Sequence, residues 1–355
     1  MNHTILSYHH KKSLCFCLIG ALLLALLTGC SGTEKKVSKS GFYFDTIITI
    51  TLYGTTDEKY IDSCFALAKE YEDKFSNTVE DSEISKINAS AGQFVTVSDE
   101  TIELLTAGME YGRISAGRFD VTIGNLSKLW NFSEIAENLD SKDNETDASV
   151  IPDKSEIEEA LSHVDYENII IDKNKVKLTD PDAKIDLGGI AKGYIADRMR
   201  AYLNREGITS GIINLGGNVL TLGEKADEKL YTIGIQKPFA DTGTALGEFQ
   251  VKDASVVTSG IYERYYRVNG KLYHHILDTK TGYPVENNLY QVTIISEKSM
   301  DGDALSTTCF ALGMDEGMEL IENTKGVEAI FVTDDGKISC SSGIGDDKNI
   351  RFQQN

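Results

Sequence analysis

The segment MDGDALSTT, residues 300–308, concentrates oxygen chemistry in this chain. Asp303 and Thr307 are four apart, so on a helix they share a face and can offer a carboxylate and a hydroxyl to one hard cation. The same residues also suit helix capping, with Asp301 or Asp303 as the cap. An oxygen-only site with one or two carboxylates fits Mg2+, which keeps water and shares the phosphates of a ligand; Asp301 is close enough in sequence to bind or support it. Two glycine pairs come next, IDLGGIAKGYIAD (185–197) and INLGGNVLTLG (213–223). Neither follows a known nucleotide fingerprint, and tight turns or close backbone packing would explain either pair. The first pair opens a helix whose N-terminal amides can bind an anion, with Lys192 in its first turns, and so points to a phosphate-bearing ligand.

The segment HHILDTKTGYP (274–284) holds the only adjacent histidines downstream of the leader. Strand alternation puts His274 and His275 on opposite faces, so one can face a cleft while the other packs. Asp278 can cap the turn through Thr281, Gly282 and Pro284. In SAGRFDVTIGNLSKLW (115–130), Gly117 and Gly124 bracket an ordinary turn and short strand, and Trp130 reads as core.

These segments need a scaffold of helices and antiparallel strands. FDTIITITLYG alternates apolar and β-branched residues as a strand does, and the next helix places Ile61, Phe65, Ala68 and Tyr71 on one face. Ser98 caps a helix running to about Ile114, and IAKGYIADRMRAYLNREG forms another that stops at Gly207. Hairpins turn at Lys173-Asn174 and at Asn269-Gly270, and VEAIFVTDDGKISC closes the chain as a third. GDALSTTCFALGMDEGMELIENT is helical in two parts. Without a regular βαβ rhythm, this predicts an α+β fold of mixed, mostly antiparallel sheets with packed helices.

The chain starts with Lys11 and Lys12, an apolar run LCFCLIGALLLALL, then Thr28, Gly29 and Cys30. This is a secretory signal ending in a lipobox, its apolar run shorter than the ~20 residues that span a bilayer. Residues 1–29 are therefore expected to be removed, leaving Cys30 lipidated on the outer face of the cell membrane. Residues 30–40 would be a tether and 41–350 one domain, with the acidic stretch 133–154 as a surface insertion. Of 355 residues, 326 remain, and loss of two lysines takes the net charge from −20 to −22. Such a body repels nucleic acid and anionic lipid surfaces, so a lipid must do the tethering. Cys64, Cys309 and Cys340 are an odd, scattered set that forms neither a disulfide framework nor a thiolate metal site.

Taken in order, FDT, FSNTVEDSEISKIN, SAGRFDVTIGNL, IDLGGIAKGYIAD, INLGGNV, TSGIYERYY, HHILDTKTGYP and GDALSTTCFALG resemble the FAD:protein FMN transferase family, the ApbE-like flavin transferases. The likeness runs from about residue 41 to 340. It implies a single ApbE-like domain and Mg2+ held by Asp303, Thr307 and the carbonyl of Gly189. It implies FAD lined by Phe44, Thr78, Arg118, Phe119, Asp120, Asp186, Lys192 and Ile276. The family histidine matches His275, which with Asp303 makes up the implied catalytic pair. Phe44 stands where the family usually has methionine, and Thr279 where proline is common.

The implied reaction moves FMN from FAD to a threonine or serine hydroxyl of a partner protein, with AMP leaving. Partners would be flavin-accepting extracytoplasmic or membrane redox proteins. His275 or a nearby carboxylate would be the base. The alternatives are an Mg2+-dependent FAD pyrophosphatase using the same site with water, and a non-enzymatic flavin-binding lipoprotein that would not need the Asp303–Thr307 pair.

Overall fold

The computed structural model describes residues 35–139, 144–225, 229–345 and 350–354, so the leader and Cys30 lie outside the described residues. The chain enters its main sheet through a hairpin of β1 (Lys36–Tyr43) and β2 (Thr46–Tyr53). Phe44 and Asp45 form its turn, both with φ 53°, as a two-residue hairpin loop requires. β1 thus begins at Lys36, inside the stretch read as tether. Its polar residues belong to a solvent-facing edge strand: Ser38 and Ser40 pair their hydroxyls with Thr51 and Thr49 at 2.9 and 2.8 Å, and Lys39 meets Asp62 at 2.6 Å.

Helix α1 (Lys59–Phe75) buries Ile61, Cys64, Ala68, Tyr71 and Phe75. Cys64 takes the core position expected of Phe65, whose ring instead stacks on Tyr43 at 5.7 Å. α2 (Glu83–Asn88) and β3 (Val95–Thr96) lead to α3 (Asp99–Ile114), capped by Ser98 as its sequence predicts. α4 (Gly124–Trp130), α5 (Phe132–Glu137) and α6 (Lys154–Ser162) follow. Next come the hairpin β4 (Ile169–Asp172) and β5 (Lys175–Leu178), then α7 (Ala191–Arg205), with Gly207 at φ 79° just beyond it.

The second half is mostly strand. It runs through β6 (Gly211–Leu215), β7 (Asn218–Leu222), β8 (Tyr231–Gln236), β9 (Ala245–Val251) and β10 (Ser255–Gly260). β11 (Tyr265–Val268), β12 (Lys271–His274) and β13 (Leu289–Ser296) precede the paired helices α8 (Ser299–Leu312) and α9 (Met314–Glu322). β14 (Val327–Thr333), β15 (Ile338–Cys340) and β16 (Arg351–Gln354) end the chain.

Among the described residues the main sheet has eight strands in the order β1-β2-β6-β7-β10-β13-β14-β15. Every neighbouring pair is antiparallel. One face carries the large core, where Ile48, Ile50, Ile213 and Ile294 meet Ala68, Ile195 and Leu305 of the helices. On the other face β16-β9-β8 packs Tyr231 and Phe249 against Val256, Ile295 and Ile330. β13 is covered on both sides, so seven of its eight residues are buried, the polar Gln291, Thr293 and Ser296 included.

Residues 36–355 form one compact unit. A third cluster joins Trp130, Phe132 and Ile157 to Tyr266, Val268 and Leu277. The acidic stretch 133–154 contributes to it through Ile135, Leu139, Val150 and Ile151, and Thr146 donates to the carbonyl of Arg267 at 2.8 Å. Its few apolar residues therefore dock it beneath the β11–β12 hairpin, while its carboxylates made the sequence read as a surface insertion.

Candidate active site

The site is built where the first turn of α7 touches α8. A side chain on Gly193 would meet the carbonyl oxygen of Ser299 at 2.2 Å, so only glycine lets the two helix backbones come this close. Two residues of α7 exploit the contact. Asp197 accepts from the amides of Ser299 and Met300, both at 3.0 Å, and so caps α8 from outside it, with Arg200 at 2.9 Å. The amide of Gly193 donates to Oδ2 of Asp303 at 2.9 Å. Capping by Asp197 releases Asp301 and Asp303 from that duty.

Asp303 is 4% exposed, and a carboxylate so buried needs compensating charge. Lys192 Nζ lies 3.6 Å from its Oδ1 while donating to the carbonyl of Gly188 at 2.9 Å. One turn along α8, the Thr307 hydroxyl is 3.3 Å from Ser259 Oγ on β10, and Ser259 also pairs with Ser306 at 2.7 Å. A Cβ on Gly189 would stand 3.7 Å from Thr307 Oγ1 and 3.0 Å from the Phe119 ring. Asp303, Thr307 and the Gly189 backbone thus converge, offering only oxygen, a donor set suited to a hard divalent cation. Among the described residues no three His, Cys, Asp or Glu gather as a metal cluster. Asp301 is turned away from it: its carboxylate accepts from the Tyr111 hydroxyl at 2.8 Å on α3, because two residues along a helix point to different sides.

The HHILDTKTGYP segment lies beside this centre. His274 is buried, with Nε2 donating to the Val285 carbonyl at 3.1 Å and Nδ1 accepting from the Ile276 amide at 3.3 Å. Burial pushes its pKa down to about 4. His275 is half-buried, with Nδ1 3.3 Å from the Arg264 carbonyl. Burial first, then the charges of Arg264, His274 and Lys192, push its pKa down to about 3, so it is a neutral ring with Nε2 free to accept. Ile276 is buried behind it. Asp278 faces Arg118 at 3.4 Å, and Thr279 donates to the Gly117 carbonyl at 2.6 Å, a tie that proline at this position lacks.

The remaining residues singled out from sequence divide by what holds them. Phe119 packs at the site against Gly189. Asp186 accepts from the Gly188 amide at 2.8 Å and so shapes the glycine turn. Asp120 is buried and already accepts from the Thr122 amide and hydroxyl and the Tyr166 amide, at 2.8, 2.6 and 2.9 Å. Its carboxylate therefore holds the loop. Phe44 sits at the β1–β2 turn, its amide donating to Glu72 at 2.8 Å. Next to it Thr46 packs on the Gly216–Gly217 turn, where a Cβ on Gly216 would stand 2.0 Å from Thr46 Oγ1. Thr78 is exposed, its hydroxyl 2.9 Å from Ser76 Oγ.

Sequence reasoning missed Asp197, Gly193, Ser259 and Glu263. All four lie inside quoted motifs, and only their distant partners reveal their use. Glu263 stands in the turn between β10 and β11, its carboxylate close over Gly217, where Oε1 is 3.8 Å from the place of a Cβ. Glu263 is exposed to solvent.

The ApbE family model matches residues 44–331. A FAD:protein FMN transferase of Klebsiella pneumoniae is 38% identical over 312 residues, spanning 87% of this chain and 93% of the relative. One from Treponema pallidum is 30% identical over 360 residues, spanning 95% and 96%. Among solved structures, the ApbE protein of Thermotoga maritima superposes with a TM-score of 0.77 at 33% identity, over 87% of this chain and 97% of its own. The flavin transferase ApbE of Vibrio cholerae gives 0.75 at 27% identity, over 87% and 98%.

Proposed function

This chain belongs to the ApbE family and is an FAD:protein FMN transferase, and we propose that it works with Mg2+, delivers FMN to a threonine or serine hydroxyl, and releases AMP. The observation that carries the proposal is the convergence of Asp303, Thr307, the Gly189 backbone and Lys192 at the α7–α8 contact.

The transfer is an in-line displacement at the flavin-side phosphorus of the FAD diphosphate, where catalysis consists of positioning and charge neutralisation. Bound Mg2+ supplies a positive centre for the diphosphate oxygens. A protein of net charge −20 does not hold a diphosphate by its overall field, so the positive charge has to be local. Asp303, Thr307 and the Gly189 carbonyl hold the ion; Lys192, fixed by Gly188, adds a cation beside it. His275, neutral, offers Nε2 to a hydroxyl of the substrate and keeps it oriented. Phe44, Thr78, Arg118, Phe119, the main chain of Asp120, Asp186 and Ile276 line FAD.

The leader adds a location. Cleavage before Cys30 and lipidation of that cysteine would hold the enzyme on the outer face of the cell membrane. Its FAD and its acceptors, membrane or extracytoplasmic redox proteins, would then meet there. Among the described residues no helix is long and apolar enough to cross a membrane.

The test incubates the protein with FAD, Mg2+ and a flavin-accepting extracytoplasmic domain, then reads flavin fluorescence on the denatured acceptor and AMP in solution. Labelled acceptor with one AMP per flavin is expected. AMP without labelled acceptor would make the enzyme a pyrophosphatase, and bound, uncleaved FAD would make it a carrier.

A further inference from the structure

The β1–β2 hairpin has one covered face and one bare face. Val37 packs on the large core, Lys39 meets Glu58 and Asp62 at the start of α1 at 3.1 and 2.6 Å, and the Tyr43 ring stacks on Phe65. Ser38, Ser40 and Phe42 alternate to the other side and are exposed. Across the hairpin they face Thr51, Thr49 and Ile47. The first two of these rungs are hydroxyl pairs that satisfy each other. The third is apolar and uncovered: Phe42 is 67% exposed and Ile47 63%, the two most exposed large hydrophobic side chains among the described residues. Neither joins any of the three apolar clusters of the fold.

The charge of this face departs from that of the chain. The protein carries 55 acidic residues and a net charge of −20, yet neither β1 nor β2 contains an acid. At one end of the bare face Lys36 Nζ lies 5.6 Å from the centroid of the Tyr53 ring; at the other, Asp45 is exposed in the turn. An anionic bilayer repels the protein as a whole, but here it meets a lysine, hydroxyls and apolar side chains. The connection to Cys30 enters at this same strand. Residues 31–35 reach at most about 22 Å from Cys30 to Lys36. Phe42 stands six residues further along β1, about 20 Å away. A lipid on Cys30 therefore allows the hairpin to lie along the bilayer with its apolar rung in contact. We propose that the bare face of the β1–β2 hairpin is the membrane-facing surface of this protein, with Phe42 and Ile47 entering the interfacial layer beside the Cys30 lipid, an inference that rests on the lipid anchoring proposed above. This orientation keeps the hairpin turn, which carries Phe44 of the proposed FAD lining, near the bilayer where membrane acceptors lie.

The experiment places the lipidated protein in vesicles of phosphatidylethanolamine and phosphatidylglycerol with brominated acyl chains and reads tryptophan fluorescence. The only native tryptophan, Trp130, is fully buried, so Phe42→Trp and Phe94→Trp each report one surface position. Phe94 is also exposed, beside Lys177 of the small β3-β5-β4 sheet. The brominated chains should quench Phe42→Trp at least about twofold more than Phe94→Trp. The double variant Phe42→Ser, Ile47→Ser should stay on the vesicles through its lipid, label a membrane acceptor about threefold more slowly, and label a soluble acceptor at the wild-type rate. Equal quenching at the two positions in anchored protein would overturn the assignment. Slower labelling of the soluble acceptor by the double variant would give the patch to the acceptor instead, and a dimer of the unlipidated Cys30→Ala chain that Phe42→Ser dissolves would give it to a second copy. Protein recovered from cells with no lipid on Cys30 would overturn the anchoring itself.

Discussion

Gly193 and Asp303 lie 110 residues apart in the chain, yet the amide of one donates to the carboxylate of the other at 2.9 Å. This bond joins the glycine-rich segment to the Asp/Thr segment, and it exists only because the missing Cβ lets α7 touch the start of α8. Gly193→Ala puts a methyl group 2.2 Å from the Ser299 carbonyl. Separating the helices should cost about 3 kcal/mol, lower Tm by roughly 5 °C or more, and weaken Mg2+-dependent FAD binding. Thermal unfolding and calorimetric titration check both; an alanine variant as stable as wild type would show that the helices are not in contact.

Asp301 and Asp303 make opposite predictions. Asp303→Asn removes the only carboxylate of the converging oxygen set and should weaken Mg2+ binding at least about tenfold, taking transfer with it. Asp301→Ala breaks the bond from Tyr111 instead, and should cost about 1–2 kcal/mol of stability while Mg2+ binding stays unchanged. Equal effects of the two on Mg2+ titrations would place both carboxylates on the ion and contradict the turned-away geometry.

Local periodicity explains what the sequence made legible. α3 and α7 follow their caps and stops, the hairpins at Lys173-Asn174 and Asn269-Gly270 follow their turn residues, and the Asp303–Thr307 face follows from helical spacing alone. Features that depend on a distant partner were hidden. Asp197 caps a helix a hundred residues away, and Asp120 is spent on Thr122 and Tyr166, which no motif announces. β1 was hidden differently, since an edge strand carried by serine hydroxyls and Lys39 has the composition of a linker. Glu263 was passed over inside TSGIYERYY because its approach to Gly217 joins two turns 46 residues apart in the chain.

His274 should leave a signature in the acid stability of the fold. Its folded pKa is about 4, below the ordinary 6.5, so between those values the unfolded chain binds a proton that the folded chain refuses. Stability therefore falls as pH drops through that window, by about 3 kcal/mol from this residue. His274→Asn gives up the bond to Val285 and should be the less stable protein at pH 7.5, yet the gap should narrow towards pH 4.5. Urea unfolding at several pH values measures it. Parallel stability curves for the two proteins would mean that His274 is not held neutral.

Cys30 separates delivery from chemistry. Residues 31–35 lie between it and the first strand, a reach of at most about 22 Å even when fully extended, so a lipid on Cys30 would keep the enzyme close to the bilayer surface. Confinement there raises the effective concentration of enzyme for acceptors in the same membrane and does nothing for acceptors in solution. Cys30→Ala should therefore move the protein from the membrane fraction to the soluble one and reduce flavin on membrane acceptors in cells, while the purified variant labels a soluble acceptor at the wild-type rate. All the groups proposed for the chemistry lie beyond Lys36, which is why the two effects should part. A purified variant that is inactive on the soluble acceptor would show that the anchor region takes part in the reaction itself.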